Sequence, residues 1–252
     1  MNNSVEVPTV VILTAIDLEY EAVRKHLRDV RTHTHPAGTL FEVGDVAGIT
    51  GRVALAAMGE GNTGAAAIAE RSIALFQPRL LLFVGIAGAL KDDIRLGDVV
   101  VPTRVYGYHG GREDSLGFRA RPRSYEAPHA LLQRAQFVNR RGDWTPEGAD
   151  PLDGPRCHFK PIAAGEVLLD SRSSPLARRL KDHYNDAAAV EMESAGVAIA
   201  GHLNQSLPVL IVRGISDHAD GSKGVTDKKG SQDTAARHAA AFAFALIRDL
   251  DD

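Results

Sequence analysis

The sequence predicts an α/β fold, a three-layer α/β/α sandwich with a central mixed sheet, in a single domain that spans residues 1–252. Three apolar runs rich in β-branched or leucine residues carry this prediction, because strands buried on both faces have such compositions. These runs are residues 9–14 (TVVILT), 79–84 (RLLLFV) and 208–212 (PVLIV). Segments with helical spacing alternate with them, and that alternation is typical of α/β folds.

Weaker local signals predict the remaining elements. Apolar residues at helical spacing, with start signals such as Asp17, predict helices over residues 17–28, 62–76, 130–138, 191–202 and 231–250. Short segments bounded by glycine or proline predict hairpin strands within residues 39–58 and strands over 98–105, 160–164 and 187–190. Ligands of open α/β sheets bind at the carboxyl ends of strands, so the residues after Thr14, Val84 and Val212 are the expected site.

The composition disfavours several classes of protein. With 29 basic and 32 acidic residues, the formal net charge of −3 argues against a nucleic-acid or membrane-surface partner. No apolar run approaches the roughly 20 residues of a membrane helix, and residues 1–8 lack a signal-peptide pattern. The single cysteine, Cys157, cannot form an internal disulfide, so we expect a cytoplasmic protein. No activating motif surrounds this thiol, and a nucleophilic role is not expected.

Two motifs suggest cofactors or metals, and both are rejected. Residues 59–64 (GEGNTG) match the dinucleotide-binding pattern, but the next strand ends in Val84-Gly85-Ile86-Ala87 without the acid that would hold a ribose. These glycines more simply make a tight turn or let the backbone approach another ligand. His33 and His35 have no neighbouring carboxylates in the sequence, so no metal site is expected. We predict no cofactor.

Acidic residues follow three of the predicted strands. Glu19 lies one helical turn beyond the first strand, Glu191 and Glu193 follow a later strand, and Asp217 follows the last. A single acid at such a place is usually a helix cap or a solvated side chain. Acids at three converging strand ends instead suit cleavage through an oxocarbenium-like transition state, in which one deprotonates water and another protonates the leaving group.

Four motifs in order resemble the nucleoside phosphorylase/nucleosidase superfamily, and within it the 5'-methylthioadenosine/S-adenosylhomocysteine nucleosidases. They are TAIDLE (14–19), GIAG (85–88) with LGDVVV (96–101), VEME (190–193) and VRGISD (212–217). The resemblance covers nearly the whole chain and implies a catalytic set. Glu19 would activate the attacking water, Arg213 would position it, and Asp217, oriented by Ser216, would protonate or hydrogen-bond purine N7.

The resemblance also implies substrate-binding residues. Met192 and Glu193 would hold the ribose, with Glu193 accepting from its hydroxyls. The glycine segment would contribute Ala87 and Gly88. At the position where the nucleosidases stack an aromatic ring on the purine, this chain has Leu168, so an aliphatic contact with the base is expected.

Other departures from the family pattern concern the attacking group and the 5' substituent. Ile86 stands where the family usually has a serine that binds water or phosphate, and the arginine-bearing phosphate loop of the phosphorylases is absent. Both differences favour hydrolysis over phosphorolysis. The 5' pocket, apolar in the nucleosidases, here carries basic residues in the segment after Asp217 and in a middle loop that a neighbouring subunit supplies in the family: Lys223, Lys228, Arg119 and Arg121. Such residues suit a 5'-phosphate.

The sequence therefore predicts a purine nucleotide N-glycosidase that acts on AMP, ADP or ATP. Residues 230–244 also resemble phosphorylase-like effector domains of bacterial anti-phage defence, which would imply a regulatory partner. The resemblance further implies a homodimer or larger homo-oligomer. Three alternatives stay open: a housekeeping methylthioadenosine/S-adenosylhomocysteine nucleosidase, a purine nucleoside phosphorylase and a nucleotide-binding module without catalysis.

Overall fold

The computed structural model of this chain describes residues 9–115, 117–145, 154–205, 207–221, 223–228 and 230–251. Its strands, in chain order, are β1 (Val10–Thr14), β2 (Leu27–Thr34), β3 (Leu40–Val46), β4 (Arg52–Ala57), β5 (Leu80–Ala89), β6 (Val99–Val100), β7 (Arg104–Gly107), β8 (Gly111–Asp114), β9 (Gly117–Ala120), β10 (Arg123–Glu126), β11 (Cys157–His158), β12 (Ile162–Ala164), β13 (Ala189–Glu191) and β14 (Val209–Asp217). Its helices are α1 (Asp17–Arg24), α2 (Asn62–Phe76), α3 (His129–Arg141), α4 (Pro175–His183), α5 (Ser194–Leu203), α6 (Lys223–Lys228) and α7 (Ser231–Asp251).

A mixed sheet forms the centre of the fold, in the order β10-β7-β12-β13-β5-β1-β4-β3-β2. Strand β5 pairs in parallel with β1, and β14 runs parallel to β5, with Arg213 opposite Gly85 and Asp217 opposite Gly88. Strand β13 is antiparallel to the last residues of β5. The parallel pairing brings the carboxyl ends of β1, β5 and β14 to one edge of the sheet, where the predicted site residues follow.

Alternate residues of the central strands face two separate apolar layers, as the two-residue period of a strand requires. Ile12 and Leu82 pack in the layer that contains most of α7, whereas Leu13 and Phe83 pack against α2 and α5. All four side chains are fully buried. Helices on both faces of a mixed sheet confirm the predicted α/β/α fold class, whereas the single domain over residues 1–252 stays a prediction.

Several predicted bounds are wrong, and the differences fall near the site. The helix predicted over residues 17–28 ends at Arg24, because Leu27 is buried and begins β2 in pairing with Val46. The helix predicted over 191–202 begins only at Ser194. Glu191 ends β13, since its backbone continues the ladder with β12. The helix over residues 62–76 has the predicted bounds.

Other differences come from short or polar elements. The strand predicted over 98–105 is two strands, β6 and β7, and the strand predicted over 79–84 continues through the glycine segment to Ala89. Strands β8 to β10 and helix α4, which buries Leu176 and Leu180, lie in segments for which the sequence signals above predict no element. Among the residues that the structure describes, none of the helices combines the length and apolar character that crossing a membrane demands.

Candidate active site

Among the described residues, five acids line one cavity of about 170 Å³ at the edge where β1, β5 and β14 end: Glu19, Glu60, Glu191, Glu193 and Asp217. Glu19 comes from α1, Glu193 from the turn between β13 and α5, and Asp217 from the end of β14. All three are buried, with 3–6% of each residue exposed. Carboxylates are rarely buried unless paired, so three around one cavity indicate a functional site. Met192 and Ser216 line the same cavity.

Glu19 is held by the backbone on both of its carboxylate oxygens. Oε2 accepts from the N–H groups of Ala15 (2.7 Å) and Ile16 (3.2 Å), and Oε1 accepts from the N–H of Ile86 (2.8 Å). Burial raises the pKa of Glu19, while the charge of Arg213 and these N–H donors oppose that rise. A fixed carboxylate with a raised pKa is a stronger base than a solvated one.

Arg213 lies at the centre of the buried acids, and none of it is exposed. Its Nη2 contacts Glu191 and Glu193, the latter at 3.3 Å, and its Nη1 lies 3.8 Å from Glu19 Oε1. The guanidinium also stacks over the Phe83 ring, 3.7 Å from the ring centroid. One positive charge therefore serves three buried carboxylates, which leaves an excess of negative charge around it.

Glu191 and Glu193 have different surroundings, although only one residue separates them. Glu191 accepts from the N–H groups of Glu193 and Ser194 and from the Ser194 hydroxyl, so it caps the start of α5. Glu193 lines the cavity and accepts from the Gly61 N–H at 3.1 Å. Burial, with a contribution from the neighbouring Glu191 charge, raises the pKa of Glu193 to about 7. Both acids line the cavity, but Glu191 accepts from four donors and Glu193 from two, the Gly61 N–H and Arg213, so Glu193 has more acceptor capacity left for a ligand.

Asp217 is oriented by two neighbours on its own segment. Its Oδ2 accepts from the Ser216 hydroxyl (3.0 Å) and its Oδ1 from the Ala219 N–H (2.9 Å). A Cβ atom on Gly88 would lie 2.7 Å from Oδ1, so the bare backbone at Gly88 makes room for the carboxylate. Gly88 and Ala87 both line the cavity. Gly88 therefore has this steric role in addition to its predicted contact with the substrate.

One wall of the cavity is aliphatic and partly open to solvent. Val167, Leu168 and Leu169 line it, and Leu168 is 58% exposed. Exposed aliphatic side chains at the mouth of an acidic cavity offer a surface for a flat apolar ligand. Leu168 thus lines the same cavity as Glu193 and Asp217, and its contact with a purine base stays a prediction.

The predicted basic residues are not among the side chains described around this cavity. The side chains of Lys223 and Lys228 lie outside the described residues, although their backbone forms α6, between Asp217 and Gln232, which both line the cavity. Arg119 belongs to β9 and pairs with Asp114 (3.5 Å), and Arg121 is exposed just beyond that strand. Neither arginine lines the cavity of its own chain. Their supply by a neighbouring subunit remains a prediction.

The residues rejected as metal ligands or nucleophile have other contacts. His33 meets the Phe76 ring edge-on, and His35 accepts from the Ala37 N–H. No group of three or more His, Cys, Asp or Glu side chains suited to a metal ion occurs in the described ranges. Burial raises the pKa of the Cys157 thiol, which disfavours the thiolate form.

Sequence reasoning missed several residues that shape the site. Glu191 was grouped with Glu193 but given no role, and Gly85 was quoted only within a motif. A Cβ atom on Gly85 would lie 2.0 Å from Arg213 Nη1 and 2.5 Å from Glu19 Oε1, so this glycine gives the pair its space. An arginine inside an apolar strand is the signal that could have predicted more than one buried acid nearby.

The order of motifs, the fold and the cavity all agree with one family. The family model of the Phosphorylase superfamily matches residues 9–248. The chain belongs to the Phosphorylase superfamily. This membership confirms the predicted superfamily.

Two proteins to which the chain is similar are nucleosidases by name. It is 30% identical over 244 residues to the ATP nucleosidase Cap17 of Escherichia coli strain KTE188, which covers 86% of this chain and 47% of the relative. The chain therefore spans about half the length of that protein. It is 27% identical over 248 residues to the 5'-methylthioadenosine/S-adenosylhomocysteine nucleosidase of Maridesulfovibrio salexigens, which covers 95% of this chain and 98% of the relative.

A solved structure has the same fold over nearly the full length. The 5'-methylthioadenosine/S-adenosylhomocysteine nucleosidase of S. pneumoniae, solved with the transition-state inhibitor MT-ImmA, superposes with a TM-score of 0.79. The two sequences are 25% identical, and the match covers 96% of this chain and 99% of the other. The architecture around the acids is thus one that other proteins of this superfamily share.

Proposed function

We propose that this chain hydrolyses the N-glycosidic bond of a purine nucleoside or nucleotide and releases adenine. The observation that carries the proposal is the cavity that Glu19, Glu193 and Asp217 share, because it provides a base, a ribose acceptor and an acid within one site. Nucleosidases among the relatives support the same class of reaction.

The leaving base is the first chemical problem, because a departing adenine is a poor anion. Asp217 meets it by protonating or hydrogen-bonding N7, so that the base leaves without full negative charge. Ser216 and the Ala219 N–H fix the carboxylate for this contact. A positioned acid of this kind typically contributes about 10² to 10⁴ in rate.

The attacking water is the second problem, and Glu19 is the base for it. Its carboxylate cannot turn, because three backbone N–H groups hold it. Arg213 Nη1 is a buried donor without a hydrogen-bond partner among the described residues, and it lies 3.8 Å from Glu19 Oε1. That donor is available to orient water beside the base. Glu193 accepts from the ribose hydroxyls and stabilises the positive charge that develops on the sugar.

Hydrolysis is favoured over phosphorolysis by the charges around the cavity. No lysine or arginine side chain is among the residues that line it within the described part of the chain. Arg213 is already shared by three carboxylates and lies below the surface. A phosphate co-substrate next to those acids would meet repulsion without a free cation to offset it.

We extend the proposal to a 5'-phosphorylated substrate, ATP or AMP. Helix α6 lies in the chain between Asp217 and Gln232, which both line the cavity. That segment contains Lys223 and Lys228, and an ammonium is a common binder of phosphate. The 30% identity with a protein named ATP nucleosidase supports this extension. An anti-phage effector role with a regulatory partner is proposed on the resemblance of residues 230–244 to effector domains of bacterial anti-phage defence, and a homo-oligomer is proposed on the resemblance to the nucleosidase family.

A second candidate is a methylthioadenosine/S-adenosylhomocysteine nucleosidase. Relatives with this name match the chain over nearly their whole length. Both candidates use the same acids and differ in the 5' group alone.

The deciding experiment is product analysis by HPLC in phosphate-free buffer. Purified protein is incubated in parallel with ATP, AMP, adenosine and methylthioadenosine, with the Glu19→Gln variant as the control for a contaminating activity. Free adenine from ATP or AMP alone supports the nucleotide hydrolase, and adenine from methylthioadenosine alone supports the second candidate. A Lys223→Ala/Lys228→Ala variant should then raise KM for ATP and leave KM for adenosine unchanged. Absence of adenine from all four substrates, with or without added phosphate, would contradict the proposal.

A further inference from the structure

Asn62 connects two segments of the chain that both supply residues to the cavity. It is the first residue of α2 and belongs to the glycine-rich segment of residues 59–64. Its Nδ2 donates to the carbonyl of Gly165 at 2.7 Å, and its Oδ1 accepts from the N–H of Gly196 at 2.9 Å. Both ends of one side-chain amide are therefore used, each on a different element.

The two partners of Asn62 lead directly to the ligand-facing residues. Gly165 begins the segment whose residues Val167 to Leu169 line the aliphatic wall. Gly196 lies in the first turn of α5, directly after the turn that carries Glu193. Asn62 itself is not among the residues that line the acidic cavity. Any effect of Asn62 on a bound nucleoside must therefore act through these two walls.

The geometry shows that this connection is specific. Asn62 follows the N-cap residue Gly61, and its side-chain amide bonds to two other segments of the chain and not to the start of its own helix. A Cβ atom on Gly196 would lie 2.0 Å from the Asn62 carbonyl oxygen, so α5 approaches as closely as a glycine allows. The preceding residue, Gly61, donates its N–H to Glu193. The segment thus holds both the ribose-side acid and the base-side wall.

We propose that Asn62 is a positioning residue, which fixes the aliphatic wall for the base relative to the ribose-side turn that carries Glu193. This inference rests on the proposed function, since it assigns the two walls to the base and the ribose. This role would explain the glycine-rich motif of residues 59–64 without a dinucleotide cofactor. A loss of this connection should weaken base binding and misalign the nucleoside for attack.

The test compares Asn62→Asp and Asn62→Ala with wild type and with Asn204→Asp as the control. Asn204 caps the other end of α5 and likewise donates its amide to a backbone carbonyl, that of Ala200 (2.9 Å). Isothermal titration gives Kd for free adenine, HPLC gives kcat and KM for adenine release, and thermal unfolding gives Tm. Kinetic constants are normalised to the folded fraction, so that a loss of stability alone changes Tm and nothing else.

The two variants should separate the two hydrogen bonds. Asn62→Asp keeps the acceptor for Gly196 but loses the donor to Gly165, so Kd for adenine should rise about 3- to 10-fold with little change in Tm. Asn62→Ala loses both bonds and should lower kcat/KM about 100-fold, the order expected when reacting groups are misplaced by roughly 1 Å. Asn204→Asp should keep the wild-type adenine Kd.

The inference is overturned if both Asn62 variants bind adenine as wild type does and keep its kcat/KM per folded molecule. It is also overturned if Asn204→Asp weakens adenine binding as much as Asn62→Asp. The wild-type arm reports separately on the proposed function: binding of adenine without turnover of any nucleoside would contradict hydrolysis, while the adenine Kd values of the variants would still decide the role of Asn62. If Asn62→Ala does not fold, Asn62→Asp and its control give the answer alone.

Discussion

Replacement of Gly88 by alanine should lower the rate of adenine release by displacing the Asp217 carboxylate. The added Cβ would lie 2.7 Å from Asp217 Oδ1, whereas ordinary contacts of this kind begin near 3.4 Å. The carboxylate must therefore move by about 0.7 Å. A movement of this size away from the Ser216 hydroxyl (3.0 Å) and the Ala219 N–H (2.9 Å) would lengthen both hydrogen bonds beyond the 3.5 Å limit.

The expected loss of kcat follows from the proposed role of Asp217 as the acid for the leaving base. A positioned acid contributes about 10² to 10⁴ in rate, and a displacement of roughly 1 Å costs about 10²-fold. We therefore expect Gly88→Ala to lower kcat for adenine release about 100-fold, and to destabilise the fold by about 1–3 kcal/mol through overpacking. The assay is initial-rate HPLC at saturating substrate, with urea unfolding in parallel.

Two comparisons make this prediction specific. Gly107→Ala is the matched control, because its Cβ would meet its nearest atoms at 3.7 Å, and it should keep wild-type kcat. In an Asp217→Asn background, Gly88→Ala should cost little more, since both changes remove the same group. A folded Gly88→Ala protein with kcat within about threefold of wild type would refute the reasoning.

Three further predictions concern charge. Arg213→Met should destabilise the protein by about 3–5 kcal/mol, because buried acids lose their cation; a loss below about 1 kcal/mol in urea unfolding would contradict this. The pKa of Glu193 is raised in the folded state from 4.5 to about 7, so stability should fall by up to about 3 kcal/mol as pH rises from roughly 4.5 to 7. Urea unfolding at several pH values should show that this dependence is weaker in Glu193→Gln, and an unchanged profile would argue against it. Glu60 lines the cavity. At roughly 8 Å in water, its carboxylate would repel one phosphate charge by about 0.5 kcal/mol, so Glu60→Gln should lower KM for ATP about twofold. KM for adenosine should not change, and an equal change for both substrates would remove the electrostatic explanation.

The fold and the main acids could be predicted from local signals. Apolar runs mark β1, β5 and β14 because a strand buried on both faces tolerates few polar residues. Glu19 and Asp217 follow directly from those strand ends, and the structure brings them to one cavity. The boundaries of α1 and α5 could not be predicted, because strand pairing through Leu27 and Glu191 overrides helical spacing at those residues.

The residues that prepare the site are less visible in the sequence. Arg213 was predicted to position water, but its contacts with three buried acids depend on β14 lying beside β5, whose last residues also pair with β13. Gly85 and Asn62 act through close approach and backbone hydrogen bonds, which leave no periodic pattern along the chain. Such roles come from residues distant in sequence, and they become apparent only once the register of the sheet is known.

The long parallel pairing of β5 with β14 holds Arg213 and Asp217 in a part of the fold that we expect to open last. Its hydrogen bonds lie under α7, which packs so closely that a Cβ on Gly214 would lie 2.0 Å from the Ala235 carbonyl oxygen. Local opening of such a segment requires most of the free energy of global unfolding, whereas rim segments open at much lower free energy. If the proposed function holds, substitutions in residues 165–169 or in α6 should therefore change which nucleoside binds. The acids proposed to cleave the bond should keep their positions. Relatives with this fold can therefore differ in substrate preference and still share the residues that cleave the bond.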